Sequence, residues 1–240
     1  QNCGSTSPDT LKEAIVRGSY DLGIAFDGDG DRVLIVNSDG EVLDGDDILY
    51  ILSKTIPDGS GVVGTLMTNK ALELYFQNEG IQFSRADVGD KYVLQSLVQK
   101  SWFLGGEPSG HIICLDSAPT GDAIIAALKL LNAIKANEFS IKKSLEDFKK
   151  FPQTLINLKV DNPNKIILSD KFWEKVTEIE FQLGDDGRVL IRPSGTEPLI
   201  RIMVESGDSG TSENLCNSLA DLAQTIWLLL IGKWMGQKKK

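Results

Sequence analysis

A single histidine and three widely spaced cysteines among 240 residues leave little room for several familiar chemistries. Cys3, Cys114 and Cys216 form no CxxC pair, so neither a zinc ribbon nor a disulfide framework is read here, and so sparse a set fits a reducing, cytoplasmic setting. There is no basic excess: 34 Asp and Glu stand against 25 Lys and Arg, which argues against a nucleic-acid surface while leaving room for local basic pockets. A long apolar run is also missing. The strongest, Ile226–Ile231 before Lys238-Lys239-Lys240, is far short of the roughly 20 residues a membrane span requires, and it reads as a buried last helix with a basic tail. No basic-then-apolar leader, internal repeat or low-complexity tract is seen. The chain opens at Gln1, in what looks like the middle of an α/β unit, and the expectation is the C-terminal portion of a longer protein. With 41% hydrophobic residues it can bury real cores.

What is present is concentrated in short loops. The apolar run Leu22–Phe26 ends in Asp27-Gly28-Asp29-Gly30-Asp31-Arg32, three carboxylates at alternate positions joined only by glycine. Like charges held so close are costly unless a hard cation sits among them, and the glycines let the backbone wrap one ion. Arg32 adds a planar donor fork where a phosphate would lie. The local reading is a divalent-metal site for a phosphorylated group, with Mg²⁺ as the expected ion. An EF-hand would need glycine where Arg32 stands and glutamate where Ser38 stands, so it is set aside. A phosphatase of the haloacid-dehalogenase type, with Asp27 as nucleophile and Asp29 as acid/base, is the mechanistic rival.

The spacing predicts a helix ending near Gly18, a strand over 22–26, and a hairpin of 33–36 and 41–43 about Asn37-Ser38-Asp39-Gly40, then a helix capped by Asp46. Pro57–Gly61 is the best early linker. Strands and helices then alternate to about Lys150, implying a mostly parallel sheet. The last part has an α+β texture, with strands near 153–160, 178–183, 187–192 and 199–205 and a helix near 170–177. The fold class is α/β, with mixed or parallel α/β domains followed by a smaller α+β C-terminal domain, divided at 1–56, 57–150 and 151–240. Two more loops carry chemistry. Gly105-Gly106-Glu107-Pro108-Ser109-Gly110-His111 projects an acceptor and a donor suited to sugar hydroxyls, with His111 a proton-transfer candidate beside them. Arg192-Pro193-Ser194-Gly195-Thr196-Glu197-Pro198 forms a compact oxyanion cradle, to which Arg201 can add charge.

These three loops, in this order, resemble the α-D-phosphohexomutase superfamily, and the resemblance covers essentially the whole chain. It implies that 1–56 is the end of the second of four domains and carries the metal loop, that 57–150 is the third with the sugar loop, and that 151–240 is the fourth with the phosphate loop. It also implies an isomerase that moves a phosphoryl group through a phosphoserine enzyme and a bisphosphate intermediate, with Mg²⁺ as cofactor and a hexosamine or hexose phosphate as partner. Asp27, Asp29 and Asp31 become metal ligands and Arg32 a phosphoryl contact. Glu107 and Ser109 bind sugar hydroxyls with His111 in the same pocket, and Arg192, Ser194, Gly195, Thr196 and Arg201 hold the non-reacting phosphate. Asp90 and Lys91 resemble a sugar-orienting loop, so Arg32, Lys91 and His111 are the candidate catalytic residues. The family pattern has Arg in place of Lys91, which keeps charge but loses the fork, and Gln in place of Pro108. Cys3–Thr6, Val88–Val93 and Arg192–Glu205 are most similar to the branch that interconverts glucosamine 6-phosphate and glucosamine 1-phosphate; mannose and glucose branches are the near alternative. The family's Ser-His-Asn-Pro phosphoserine loop is not in this sequence, whose one histidine is His111. The 240 residues alone are therefore expected to be inactive, and a silent sugar-phosphate-binding fragment is a further alternative.

Overall fold

The computed structural model describes residues 4–138, 140–194 and 197–237, in two compact units, Gln1–Lys149 and Lys150–Lys240.

In the first unit, α1 (Asp9–Gly18) leads into β1 (Leu22–Phe26), which pairs antiparallel with β2 (Val33–Asn37) so that Phe26 stands opposite Val33. The acidic hexapeptide is therefore the connection of a β-hairpin. β3 (Val42–Leu43) extends this sheet, and α2 (Gly45–Ser53) follows, opened by a capping box in which Asp44 accepts from the Asp46 and Asp47 N–H groups while Asp47 accepts from Asp44. Every residue of α2 is buried, which explains its nearly all-apolar sequence after the cap.

The second sheet of this unit has the order β5–β4–β6–β7. β4 (Gly61–Thr65) lies between parallel β5 (Gln82–Ala86) and β6 (Leu104–Gly106), joined through α3 (Lys70–Asn78) and α4 (Asp90–Lys100). β7 (Ile112–Cys114) returns antiparallel to β6 and passes to α5 (Ala123–Ile134) and the short α6 (Ile141–Ser144). One core, from Val33 and Ile35 through α2 to Leu72, Phe76 and the inner face of α5, packs both sheets together. The loops after β4, β5 and β6 thus open at the carboxyl ends of parallel strands, where α/β folds place ligands.

In the second unit β8 (Gln153–Lys159), β10 (Leu199–Ser206) and β9 (Gly187–Pro193) form an antiparallel sheet with β10 central. One face packs under α7 (Pro163–Ile167), α8 (Asp170–Leu183) and α9 (Ser209–Gln237). The strand expected over 178–183 is instead the second half of α8. Glu178-Ile179-Glu180-Phe181 alternates like a strand, but Phe172, Val176, Ile179 and Leu183 make a continuous buried stripe at helical spacing, while Phe181 is left exposed. Among the described residues no helix is long and apolar enough to cross a membrane.

Candidate active-site loops

Asp27, the first residue after β1, organises the loop it begins. Its N–H donates to the Arg32 carbonyl at 3.2 Å, and its Oδ1 accepts from the Asp31 and Arg32 N–H groups at 3.1 and 3.0 Å. Burial opposes its ionisation, but the Arg32 backbone hydrogen bond, carboxyl contacts with Asp31 and Asp29, and the Arg32 charge together hold it below the ordinary carboxylate range. Asp27, Asp29 and Asp31 can each offer one oxygen, all within 4.8 Å of one another. Arg32 lies against the cluster, its Nε 3.1 Å from Asp27 Oδ2 and 3.6 Å from Asp31 Oδ1. The second distance is too long for a hydrogen bond, and Asp31 Oδ1, shielded from solvent, has no hydrogen-bond partner among the described residues. A cluster of hard oxygen donors with one buried oxygen left over fits a divalent cation of the Mg²⁺ kind.

The Glu107–His111 turn is bonded directly to this loop. Glu107 N–H donates to the His111 carbonyl and Gly110 N–H to the Glu107 carbonyl, at 2.9 and 3.0 Å. Gly110 has φ +90°, and a Cβ there would run into the Val33 carbonyl, so the position needs glycine twice over. Val33 N–H then donates to the Gly110 carbonyl at 3.0 Å, Arg32 and His111 form a β-bridge, and His111 Nδ1 lies 3.1 Å from Asp31 Oδ2. Gly45 N–H, at the start of α2, holds the Pro108 carbonyl at 3.1 Å. Glu107 Oε1 accepts from Gly89 N–H at 2.9 Å, fixing the start of α4. Asp90 and Lys91 occupy the first turn of that helix; both are exposed, with Lys91 Nζ 4.6 Å from the Tyr92 ring. Ser109 is exposed at the tip of its turn. The Asp27–Arg32 loop, the Glu107–His111 turn and the start of α4 are thus one hydrogen-bonded framework.

Three framework groups carry no motif in the sequence. Ala123 N–H, opening α5, donates to the Gly30 carbonyl at 3.0 Å; Gly121 packs against the His111 ring; and Gly45 supplies the N–H just described. Their only signals are a small residue beside a helix cap at Asp122 or Asp44.

In the second unit Arg192 on β9 stands directly opposite Arg201 on β10. Burial and then the Arg201 charge lower the Arg192 pKa, and Arg201 Nε is buried with no hydrogen-bond partner among the described residues. Two facing arginines, one with an unpartnered donor, suit an anion. Ser194 follows β9, its N–H on the Leu199 carbonyl at 2.9 Å and its Oγ accepting from Glu197 N–H at 3.3 Å. Gly195 and Thr196 lie outside the described residues.

Two family patterns match in succession. That of the phosphoglucomutase/phosphomannomutase alpha/beta/alpha domain III covers residues 44–151, and that of the phosphoglucomutase/phosphomannomutase C-terminal domain covers 155–222. The chain belongs to the phosphoglucomutase/phosphomannomutase family. Among its curated relatives are phosphoglucosamine mutases. That of Janthinobacterium sp. (strain Marseille) is 47% identical over 225 residues, 90% of this chain and 49% of that protein. That of Psychrobacter sp. (strain PRwf-1) is 47% identical over 231 residues, 94% of this chain and 50% of that protein. The chain spans about half the length of the curated relatives it matches. In fold it resembles an Aspergillus fumigatus N-acetylphosphoglucosamine mutase solved with GlcNAc-6P and magnesium, at TM-score 0.74 and 18% identity over 95% of this chain and 53% of that one. A phosphoglucomutase/phosphomannomutase family protein from Burkholderia thailandensis gives TM-score 0.74 and 22% identity, over 92% of this chain and 51% of that one.

Proposed function

We propose that this chain supplies the metal, sugar-orienting and phosphate-anchoring loops of a phosphoglucosamine mutase, the isomerase that interconverts glucosamine 6-phosphate and glucosamine 1-phosphate. The domain divisions at 56 and 150 follow from the same reading. The observation that carries it is the bonded framework joining the Asp27–Arg32 loop to Glu107 and His111, with one buried oxygen of Asp31 left over for an ion. The 47% identity to curated phosphoglucosamine mutases supports the choice of sugar.

In this mechanism Asp27, Asp29 and Asp31 hold Mg²⁺, which neutralises charge on the transferring phosphoryl oxygens when bound. Arg32 turns its guanidinium to the same phosphoryl group. Glu107, whose Oε1 is already fixed by Gly89, presents Oε2 to sugar hydroxyls, with Ser109 beside it and Asp90 and Lys91 at the adjoining helix start. Arg192, Arg201, Ser194, Gly195 and Thr196 anchor the phosphate that does not react. Separate reading of hydroxyls and of the distal phosphate lets the sugar be held in either orientation, as an exchange through a phosphoserine and a bisphosphate requires. The serine donor would come from outside these 240 residues. The rival with Asp27 as nucleophile is less well supported, because both of its oxygens are engaged within the loop.

Calorimetric titration of the chain with glucosamine 6-phosphate in the presence of Mg²⁺, against mannose 6-phosphate and glucose 6-phosphate, tests the reading. Preferential binding of the amino sugar is expected; a preference for mannose phosphate would overturn the sugar assignment, and release of inorganic phosphate abolished by Asp27→Asn would favour the phosphatase.

A further inference from the structure

His111 is the most enclosed polar side chain in the framework. The residue is 5% exposed, and its backbone is fixed on both sides, by the bridge to Arg32 and by the Glu107 N–H bond to its carbonyl. Across the ring stands Gly121. A Cβ at Gly121 would collide with Nε2 and Cε1 and come within 2.9 Å of Cδ2, so the Nε2 edge of the imidazole is packed against this glycine. Gly121 cannot easily retreat, because it is bridged to Ile113 and, two residues on, Ala123 N–H is bonded to the Gly30 carbonyl of the metal loop. The imidazole is therefore clamped with its Nδ1 side toward Asp31 Oδ2 at 3.1 Å, while Asp31 Oδ1 is the buried oxygen that no donor satisfies.

We propose that His111 is a positioning residue for the metal site: its Nδ1–H fixes the Asp31 carboxylate through Oδ2 so that Oδ1 is presented to the ion, and Gly121 is the residue that leaves the ring room to do so. This rests on the metal-site reading above. It assigns the Nδ1 proton to orienting a ligand and gives Gly121, which belongs to none of the three loops, a part in metal affinity. Partners that hold metal ligands in place typically change affinity by about 10–100-fold when removed.

Mn²⁺ binding to the 240-residue chain, followed by electron paramagnetic resonance and calorimetry, supplies a readout independent of turnover. His111→Ala is expected to weaken Mn²⁺ by about 10-fold or more, and His111→Asn, whose amide N–H can take the place of Nδ1–H, to recover most of that loss. Gly121→Ala should weaken binding through the displaced ring. Because His111 is the only histidine in the chain, its ring nitrogens can be assigned by long-range ¹⁵N–¹H correlation without a variant; a proton on Nδ1 is expected with and without Mg²⁺. The proposal is overturned by Nδ1 lacking a proton, by His111→Ala binding Mn²⁺ like the wild type, or by His111→Asn being as weak as the alanine variant. If His111→Ala does not fold, the nitrogen assignment decides. A wild-type chain that takes up no Mn²⁺ overturns the metal site and this proposal together; one that binds, with His111→Ala unchanged, overturns the proposal alone.

Discussion

Like charges set directly opposite each other on paired strands repel, and Arg192 and Arg201 hold that register on β9 and β10. The repulsion makes a two-sided prediction. Arg192→Gln should cost roughly 1.5–3 kcal/mol of affinity for glucosamine 6-phosphate through lost charge-assisted hydrogen bonds. The same change should leave thermal stability in the absence of ligand equal or slightly raised, so a variant that lost both stability and affinity in calorimetry would point to a structural arginine. The three loop aspartates separate in a similar way. Asp27 accepts two backbone N–H bonds, whereas Asp29 is exposed. Without metal, Asp27→Ala should therefore cost about 1–3 kcal/mol in urea denaturation, while Asp29→Ala should change stability little because it removes only a like charge. Both should lose Mg²⁺ affinity, and equal stability costs would tell against Asp27 as the organiser of its loop. The three loops could be singled out in the sequence by residue type and spacing, while their proposed roles came from the family resemblance. Gly121 and Gly45 were not, because what they do depends on which atoms lie across from them in space.

At the scale of elements, the candidate site residues stand on turns after strands, and what holds those turns matters more than helix propensity. Arg85 on β5 clamps the turn after β4, its Nη1 donating to the Thr65 and Thr68 carbonyls at 2.9 and 2.7 Å, while Nη2 meets Glu73 of α3 at 2.8 Å. Burial opposes ionisation of Glu73, but the hydrogen bond and charge of Arg85, with Lys70, hold its pKa below the ordinary 4.5. A carboxyl whose folded pKa is depressed stabilises the fold above its unfolded value, and that contribution fades as pH falls through the folded value. Glu73→Gln should accordingly flatten the acid side of a stability–pH curve below 4.5 and leave the neutral side parallel to wild type, measured by denaturation at fixed ionic strength. An unchanged acid limb would remove Glu73 from the account. Helix–strand alternation in the first unit was readable because α3 and α5 open on capping side chains, Asn69 and Asp122, and α4 follows Gly89 with Val93 and Leu97 buried one turn apart. The second half of α8 was not: its local alternation imitates a strand, and only packing of Ile179 and Leu183 with Phe172 and Val176 decides for helix.

For the whole molecule, the question is which chemistry the described groups can complete. A mutase must carry a phosphoryl group from one end of a sugar to the other, so it needs a nucleophile that accepts the group and returns it. The loops described here offer ligands, donors and acceptors, but Asp27 is committed within its own loop and His111 is enclosed between Asp31 and Gly121. Neither is placed to hold a phosphoryl group, and the chain spans about half the length of its curated relatives. The 240 residues are therefore expected to bind Mg²⁺ and a hexosamine phosphate without interconverting its isomers, even with a hexose 1,6-bisphosphate primer. ³¹P spectroscopy of glucosamine 6-phosphate with the chain and Mg²⁺ would show the result directly. No 1-phosphate should appear over hours, and addition of the other half of a relative such as that of Psychrobacter sp. should restore the exchange if the two parts associate. Robust turnover by the 240 residues alone would mean that one of the groups described here is itself the phosphoryl carrier, and would move Asp27 from ligand to nucleophile.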